Sequence, residues 1–144
     1  MKALLLTLLL LMPMTANAAD PVTGHWLTEN ERAVVELKEC GEELCGSVYW
    51  IIEGGMLFDE KNPLEELRTR KICGLQIVEG LEKASDGEWE NGNIYKADDG
   101  DTYSADINLQ EDGTLKVRGY LGVSWLGKTQ IWTRVDAKDY KQCK

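Results

Sequence analysis

Thr102-Tyr103-Ser104-Ala105-Asp106-Ile107-Asn108-Leu109 alternates without a break: Tyr103, Ala105, Ile107 and Leu109 share one face, and Thr102, Ser104, Asp106 and Asn108 share the other. A period of two is that of an extended chain with one side on a core, so this stretch predicts a half-buried β-strand. The same period sets Ala33, Val35 and Leu37 opposite Arg32, Val34, Glu36 and Lys38, and Leu115, Val117, Gly119 and Leu121 opposite Lys116, Arg118 and Tyr120. Further strands are expected over 22–28, 44–52, 71–78, 89–96 and 128–135. Asp86-Gly87, Asp98-Asp99-Gly100 and Asp112-Gly113 supply turn chemistry between them. Only 58–70 leaves the rhythm: Asn62-Pro63 marks a turn, and Pro63 suits the first position of a short helix through Leu64-Glu65-Glu66-Leu67. Eight strands with one short helical excursion predict an all-β protein, a single antiparallel barrel, because closure removes exposed sheet edges. A barrel of this size is either filled by side chains or holds one small ligand.

The chain has 144 residues, 43% of them hydrophobic, with five Trp and five Tyr against one Phe, the composition of one folded domain rather than a disordered or repetitive chain. A formal charge of −9 disfavours nucleic acid and anionic lipid surfaces as partners. Lys2, the apolar run 3–12 and Ala16-Asn17-Ala18 have the layout of a secretory signal peptide cleaved after Ala18. The expected division is therefore 1–18 signal peptide and 19–144 barrel, and cleavage takes the charge from −9 to −10. No later stretch approaches the roughly 18 apolar residues of a membrane span. The first cysteine is Cys40, so no lipid-modifiable cysteine follows the cleavage site, and the expected location is the periplasm, or outside the cell.

Export makes disulfides the expected state of Cys40, Cys45, Cys73 and Cys143, which allow three pairings. Cys40 and Cys45 enclose four residues, a length that suits a hairpin tip, so the expected bridges are Cys40 with Cys45 and Cys73 with Cys143. The spacings match neither recurring zinc-binding pairs nor a thioredoxin-type redox motif.

Gly24-His25-Trp26 on the first strand resembles the Gly-x-Trp motif of lipocalins and related calycin barrels, and Arg134 on the last strand resembles the basic residue that packs across that Trp. Such a stack closes a barrel end through cation–π contact and hydrogen bonds to nearby carbonyls. A wider resemblance covers nearly the whole chain after residue 18. Cys40-Gly41-Glu42-Glu43-Leu44-Cys45-Gly46, Asp59 with Asn62-Pro63, Trp89-Glu90-Asn91-Gly92-Asn93-Ile94-Tyr95, Gly100 to Tyr103, Arg118-Gly119-Tyr120 and Gly127 to Arg134 resemble the bacterial domain of unknown function 2147 family. That resemblance implies an exported, lipocalin-like barrel and no established reaction.

The residues themselves assemble no catalytic constellation. His25, the one histidine, has no orienting acid or nucleophile in view, and Ser85, Ser104 and Ser124 lack a nucleophile elbow. Asp98, Asp99 and Asp101 fit a polar turn better than a calcium loop, and Glu88 and Glu90 fit an exposed strand face better than a glycosidase pair. No cofactor and no metal are therefore expected. Arg68, Arg70 and Lys71 form a basic cluster suited either to anion binding over a barrel mouth or, as the favoured reading, to surface pairing with Glu65 and Glu66. Trp50, Trp125 and Trp132 with Tyr49, Tyr95, Tyr103 and Tyr120 are more amphipathic aromatics than packing demands; core filling is the expected role of most of them, and in a hollow barrel the same residues would line a pocket of mixed polarity. The candidate ligand contacts are Trp50, Asp59, Asn62, Arg70, Tyr95, Tyr103 and Trp125, with Gly24, Trp26 and Arg134 as structural closers. The expected function is non-enzymatic binding of a small, partly apolar ligand. The alternative is a protein-binding module, an inhibitor of an exported protease or an envelope-stress partner, acting through the loop around Trp125.

Overall fold

Successive hairpins close on themselves in a computed structural model that describes residue 13, residues 17–122 and residues 127–144. The strands are β1 (Gly24–Leu27), β2 (Ala33–Cys40), β3 (Glu43–Ile51), β4 (Gln76–Ser85), β5 (Glu88–Lys96), β6 (Asp101–Leu109), β7 (Leu115–Tyr120) and β8 (Lys128–Val135). Each pairs antiparallel with its sequence neighbours, and β1 pairs with β8, so the eight form one closed barrel in chain order. The turns β2–β3, β4–β5 and β6–β7 gather at one end. The loops β1–β2, β5–β6 and β7–β8, with the long excursion 52–75 between β3 and β4, gather at the other.

The expected short helix is a single 3-10 turn at Glu65–Leu67. The largest departure from the expected strand boundaries is β4, which runs over Gln76–Ser85 and not 71–78, while β1 is confined to Gly24–Leu27 within the expected 22–28. Its two fully buried residues, Val78 and Leu81, are three apart, because the pairing with β3 shifts between Leu44 and Gly46. That irregularity breaks the period of two on which the sequence reading relies. Residues 71–75 instead form the return leg of the excursion: Phe58 bridges to Lys71, the Ile72 N–H donates to the Leu57 carbonyl, and the Gly74 N–H donates to the Val48 carbonyl.

The hairpin end is filled. Trp26, Val35, Leu37, Leu44, Val78, Leu81, Trp89, Ile107 and Leu115 form one buried cluster. Arg134 covers it from below: its guanidinium carbon lies 4.1 Å from the Trp26 ring centroid, and its nitrogens donate to the Thr23 and Pro21 carbonyls. The indole N–H of Trp26 donates to the Val22 carbonyl at 2.8 Å, so the ring is buried without an orphaned polar atom. Gly24 sits at φ 128°, and a Cβ there would come within 2.7 Å of the Arg134 guanidinium, which explains glycine in this motif physically.

Asp20 plugs the same end. Its buried carboxylate accepts from the Val22 and Gly87 N–H groups and pairs with Lys83 at 3.0 Å. Burial opposes the ionised carboxylate, but these bonds outweigh it and hold the pKa below the usual aspartate value. A carboxyl with a depressed folded-state pKa adds stability that is present above its unfolded value near 4 and is lost as pH falls through the folded value. Acid titration of stability, read by urea midpoints, is expected to show a decline below about pH 4 that Asp20→Asn makes shallower. An unchanged slope in the variant would contradict this assignment.

Both disulfides join the expected partners, Cys40 with Cys45 across the β2–β3 turn and Cys73 with Cys143. The second ties the C-terminal tail to the excursion's return leg, and the Cys143 N–H donates to the Tyr49 carbonyl at 2.8 Å. A bridge spanning 70 residues is worth about 4 kcal/mol in the chain-entropy model.

Candidate ligand-binding cavity

Above the filled half the interior is hollow. A cavity of about 190 Å³ opens at the loop end, with Val48, Ile77, Ile94, Val117 and Trp132 as apolar wall. Gly55, Met56 and Ile72 of the excursion close over one side, and Thr28, Asn30, Arg32, Tyr95, Lys96, Asp98, Tyr103, Lys128 and Gln130 supply the polar rim and upper wall. The barrel is thus filled at one end and hollow at the other, which resolves the two alternatives left open by strand counting.

Of the candidate contacts, Tyr95 and Tyr103 line this cavity. Trp50 does not. The β2–β3 register opposes Val34 to Trp50 and Val35 to Val48, leaving Tyr49 as the extra residue of a bulge. Parity therefore changes after Val48, so Ile51 faces the cavity where strict alternation would have brought Trp50 inward. Trp125 lies outside the described residues.

Asp59, Asn62 and Arg70 come together, but beside the cavity rather than in its wall. Asp59 is fully buried, and the Tyr95 hydroxyl donates to its Oδ1. Its Oδ2 accepts from Asn62 Nδ2 and from Arg70 Nε, each at 2.8 Å. Asn62 Nδ2 also donates to the Tyr95 hydroxyl at 3.1 Å, and Asn62 Oδ1 caps the Leu64 N–H. Arg70 completes the group by lying 5.6 Å over the Tyr95 ring. Burial, and then the Asp59 carboxylate accepting its proton, raise the pKa of Tyr95 above the ordinary phenol value.

This cluster is a clasp. It fastens the excursion to β5, and two further contacts support it: Lys61 Nζ donates to the Asp98 carbonyl at 2.7 Å, and Gly100 lies against the Lys61 carbonyl. At φ 77°, with a would-be Cβ only 1.9 Å from that oxygen, position 100 admits no side chain. The basic cluster also resolves differently from the favoured expectation. Arg70 pairs with Asp59, not with Glu65 or Glu66, and Arg68 Nε donates to the Asn62 carbonyl.

A second polar group stands at the rim. Asp99 Oδ2 accepts from Lys96 Nζ at 3.0 Å and from the Tyr103 hydroxyl at 2.9 Å. Burial works against the Asp99 carboxylate, but hydrogen bonds from Lys96 and Tyr103 hold its pKa below the usual value, while the same contacts raise both partners. His25 lies on the outer face, edge-on to Tyr49 and 3.9 Å from Glu36, away from the cavity.

Sequence reading missed Lys128 and Gln130 as cavity residues, and placed Trp132 only among the aromatics that fill the core or line a pocket. The signal was present: β8 pairs Trp132 with Leu115, Gln130 with Val117 and Lys128 with Gly119, so these three share the inner face with Arg134.

A closed eight-stranded barrel, sealed at one end by a Trp–Arg stack and open at the other, defines a lipocalin-like fold. The chain belongs to a family described as an uncharacterised protein conserved in bacteria, domain of unknown function 2147, whose model matches residues 24–134. Among solved structures it is similar to one titled "Protein HP1028 from the human pathogen Helicobacter pylori belongs to the lipocalin family", with a TM-score of 0.72 and 23% identity over 82% of this chain and 85% of that one. No curated protein matches the chain significantly.

Proposed function

We propose that this protein is a non-enzymatic carrier or sensor that binds one small, partly apolar molecule in the loop-end cavity, with Tyr95 and Tyr103 in contact with it. The observation that carries this reading is the hollow half of an otherwise filled barrel, walled by apolar side chains and rimmed by a few polar ones. Its volume of about 190 Å³ slightly exceeds the ~150 Å³ of an apolar cavity that accepts benzene. The enclosed part of the ligand is therefore about the size of one ring or a short alkyl chain. Asp59, Asn62 and Arg70 serve binding indirectly, by holding Tyr95 and the excursion in place.

We place this activity in the periplasm, with residues 1–18 acting as a cleaved signal peptide and residues 19–144 as the barrel domain. Two disulfides favour an oxidising compartment outside the cytoplasm, and among the described residues no helix is long and apolar enough to cross a membrane.

Native mass spectrometry of the protein purified without detergent from periplasm tests this reading. The expected result is a discrete non-covalent adduct that disappears on denaturation and is lost or weakened in Tyr103→Ala. A protein that is consistently empty, and takes up no small amphipathic compound on soaking, would overturn it. The denatured mass tests export independently, since it should correspond to a chain that begins at Ala19 and lacks four hydrogens.

A further inference from the structure

The hydrogen-bonding groups around the cavity mouth are unequally committed. Trp132 Nε1, which can only donate, gives its proton to Gln130 Oε1 at 2.9 Å. That bond fixes the amide of Gln130, so its NH2 is the group left to face a ligand. Asn30 Oδ1 already accepts from the Thr28 hydroxyl at 2.8 Å and from the Arg32 N–H at 3.1 Å, which leaves its NH2 as well. Asp99 Oδ2 is taken by Lys96 and Tyr103, and the Tyr95 hydroxyl oxygen accepts from Asn62 Nδ2. Acceptors around the mouth are thus largely consumed within the protein, while donors remain.

Charge points the same way. Lys128 lines the cavity rim on the same face as Gln130, opposite Gly119 on β7, and among the described residues its ammonium has no ion-pair or hydrogen-bond partner. Arg32 also lines the mouth, donating to the Gly54 carbonyl, a contact that leaves its charge unbalanced. Among the residues that line the cavity the opposing carboxylate is Asp98, which is exposed; the Lys96–Asp99 pair is internally neutral, and Glu29 on the β1–β2 loop spends an oxygen on the Ile131 N–H. In a chain with a formal charge of −9, the cavity lining sets Arg32, Lys96 and Lys128 against Asp98, with Asp99 balancing Lys96, so the lining itself is net positive and donor-rich above an apolar chamber.

We infer that the ligand is an organic anion, with a carboxylate or similar acceptor-only head group held by Lys128 and the Gln130 amide and an apolar body against Val117 and Trp132. This inference rests on the cavity-binding reading above and adds the head group to it. An acceptor-only anion satisfies the leftover donors, whereas an ammonium head beside Gln130 would face the charges of Lys128 and Arg32, with Asp98 as the one lining carboxylate to receive its protons.

The test is an NMR titration of the isotope-labelled, disulfide-intact protein with octanoate, octan-1-ol and octylammonium, following the Trp132 indole N–H and the Lys128 and Gln130 backbone amides. Octanoate is expected to bind roughly tenfold more tightly than octanol, the size of one charge-assisted contact, and octylammonium least. Lys128→Gln is expected to erase the preference for octanoate. Because Lys128 is exposed, the variant should keep the parent spectrum elsewhere. Binding of octanol or octylammonium at least as tight as octanoate, or a preference that survives Lys128→Gln, would overturn the head-group assignment and leave the cavity reading standing. No shift at Trp132 with any of the three would overturn both.

Discussion

Trp26→Ala is expected to cost about 4 kcal/mol of unfolding free energy, enough to leave a small domain marginally folded. The residue is fully buried in the cluster that fills the hairpin end. Truncation leaves a void there, removes the donor to the Val22 carbonyl, and takes away the ring on which Arg134 lies. Large-to-small changes of Trp in cores cost about 3–5 kcal/mol, and the cation–π contact adds up to about 1 more. Urea unfolding followed by circular dichroism checks this. A loss under about 1.5 kcal/mol would mean that this end collapses around the gap or is not the packed half of the barrel. Because the cavity lies at the other end, the surviving folded fraction should still bind ligand.

Asp59→Ala is expected to act on the opposite end, at about 3 kcal/mol. The substitution leaves the Tyr95 hydroxyl, the Asn62 amide and the Arg70 guanidinium without their shared acceptor. The value sits at the low end for a broken buried ion pair because Arg70 is partly exposed and regains water. Asp59→Asn keeps one carbonyl oxygen and is expected to lose about half as much. The local signature matters more than the total: amide exchange across 57–72 should accelerate ahead of the barrel strands, since the legs of the excursion are held by few backbone bonds beyond the clasp. Uniform acceleration over the whole chain would show instead that the clasp is part of the global folding unit.

These two substitutions separate the two kinds of residue that the family resemblance joined. Trp26 and Arg134 were legible in the sequence through the resemblance to the Gly-x-Trp motif and its basic partner, which lie on the first and last strands that a closed barrel brings together. Asp59, Asn62, Tyr95 and Gly100 were legible as a set of marked positions but not as a clasp. Their meeting depends on a loop of more than twenty residues folding back over β5 and β6, and no local pattern encodes that path.

Strand number and order, antiparallel pairing through short turns and the Cys40–Cys45 bridge were legible in local alternation, turn chemistry and cysteine spacing. Closure of the barrel followed from the need to cover sheet edges, while the Cys73–Cys143 bridge was expected only as the remaining pair and is settled by the fold. The tertiary structure settled which side chains enter the interior where alternation fails. The bulge at Tyr49 turns Trp50 outward and Ile51 inward, and the irregular β3–β4 pairing buries Val78 and Leu81 three residues apart. It also decided that one half of the interior is packed and the other hollow. Strand parity says which face a residue occupies, but whether that face meets another side chain or empty space depends on volumes contributed by all eight strands at once.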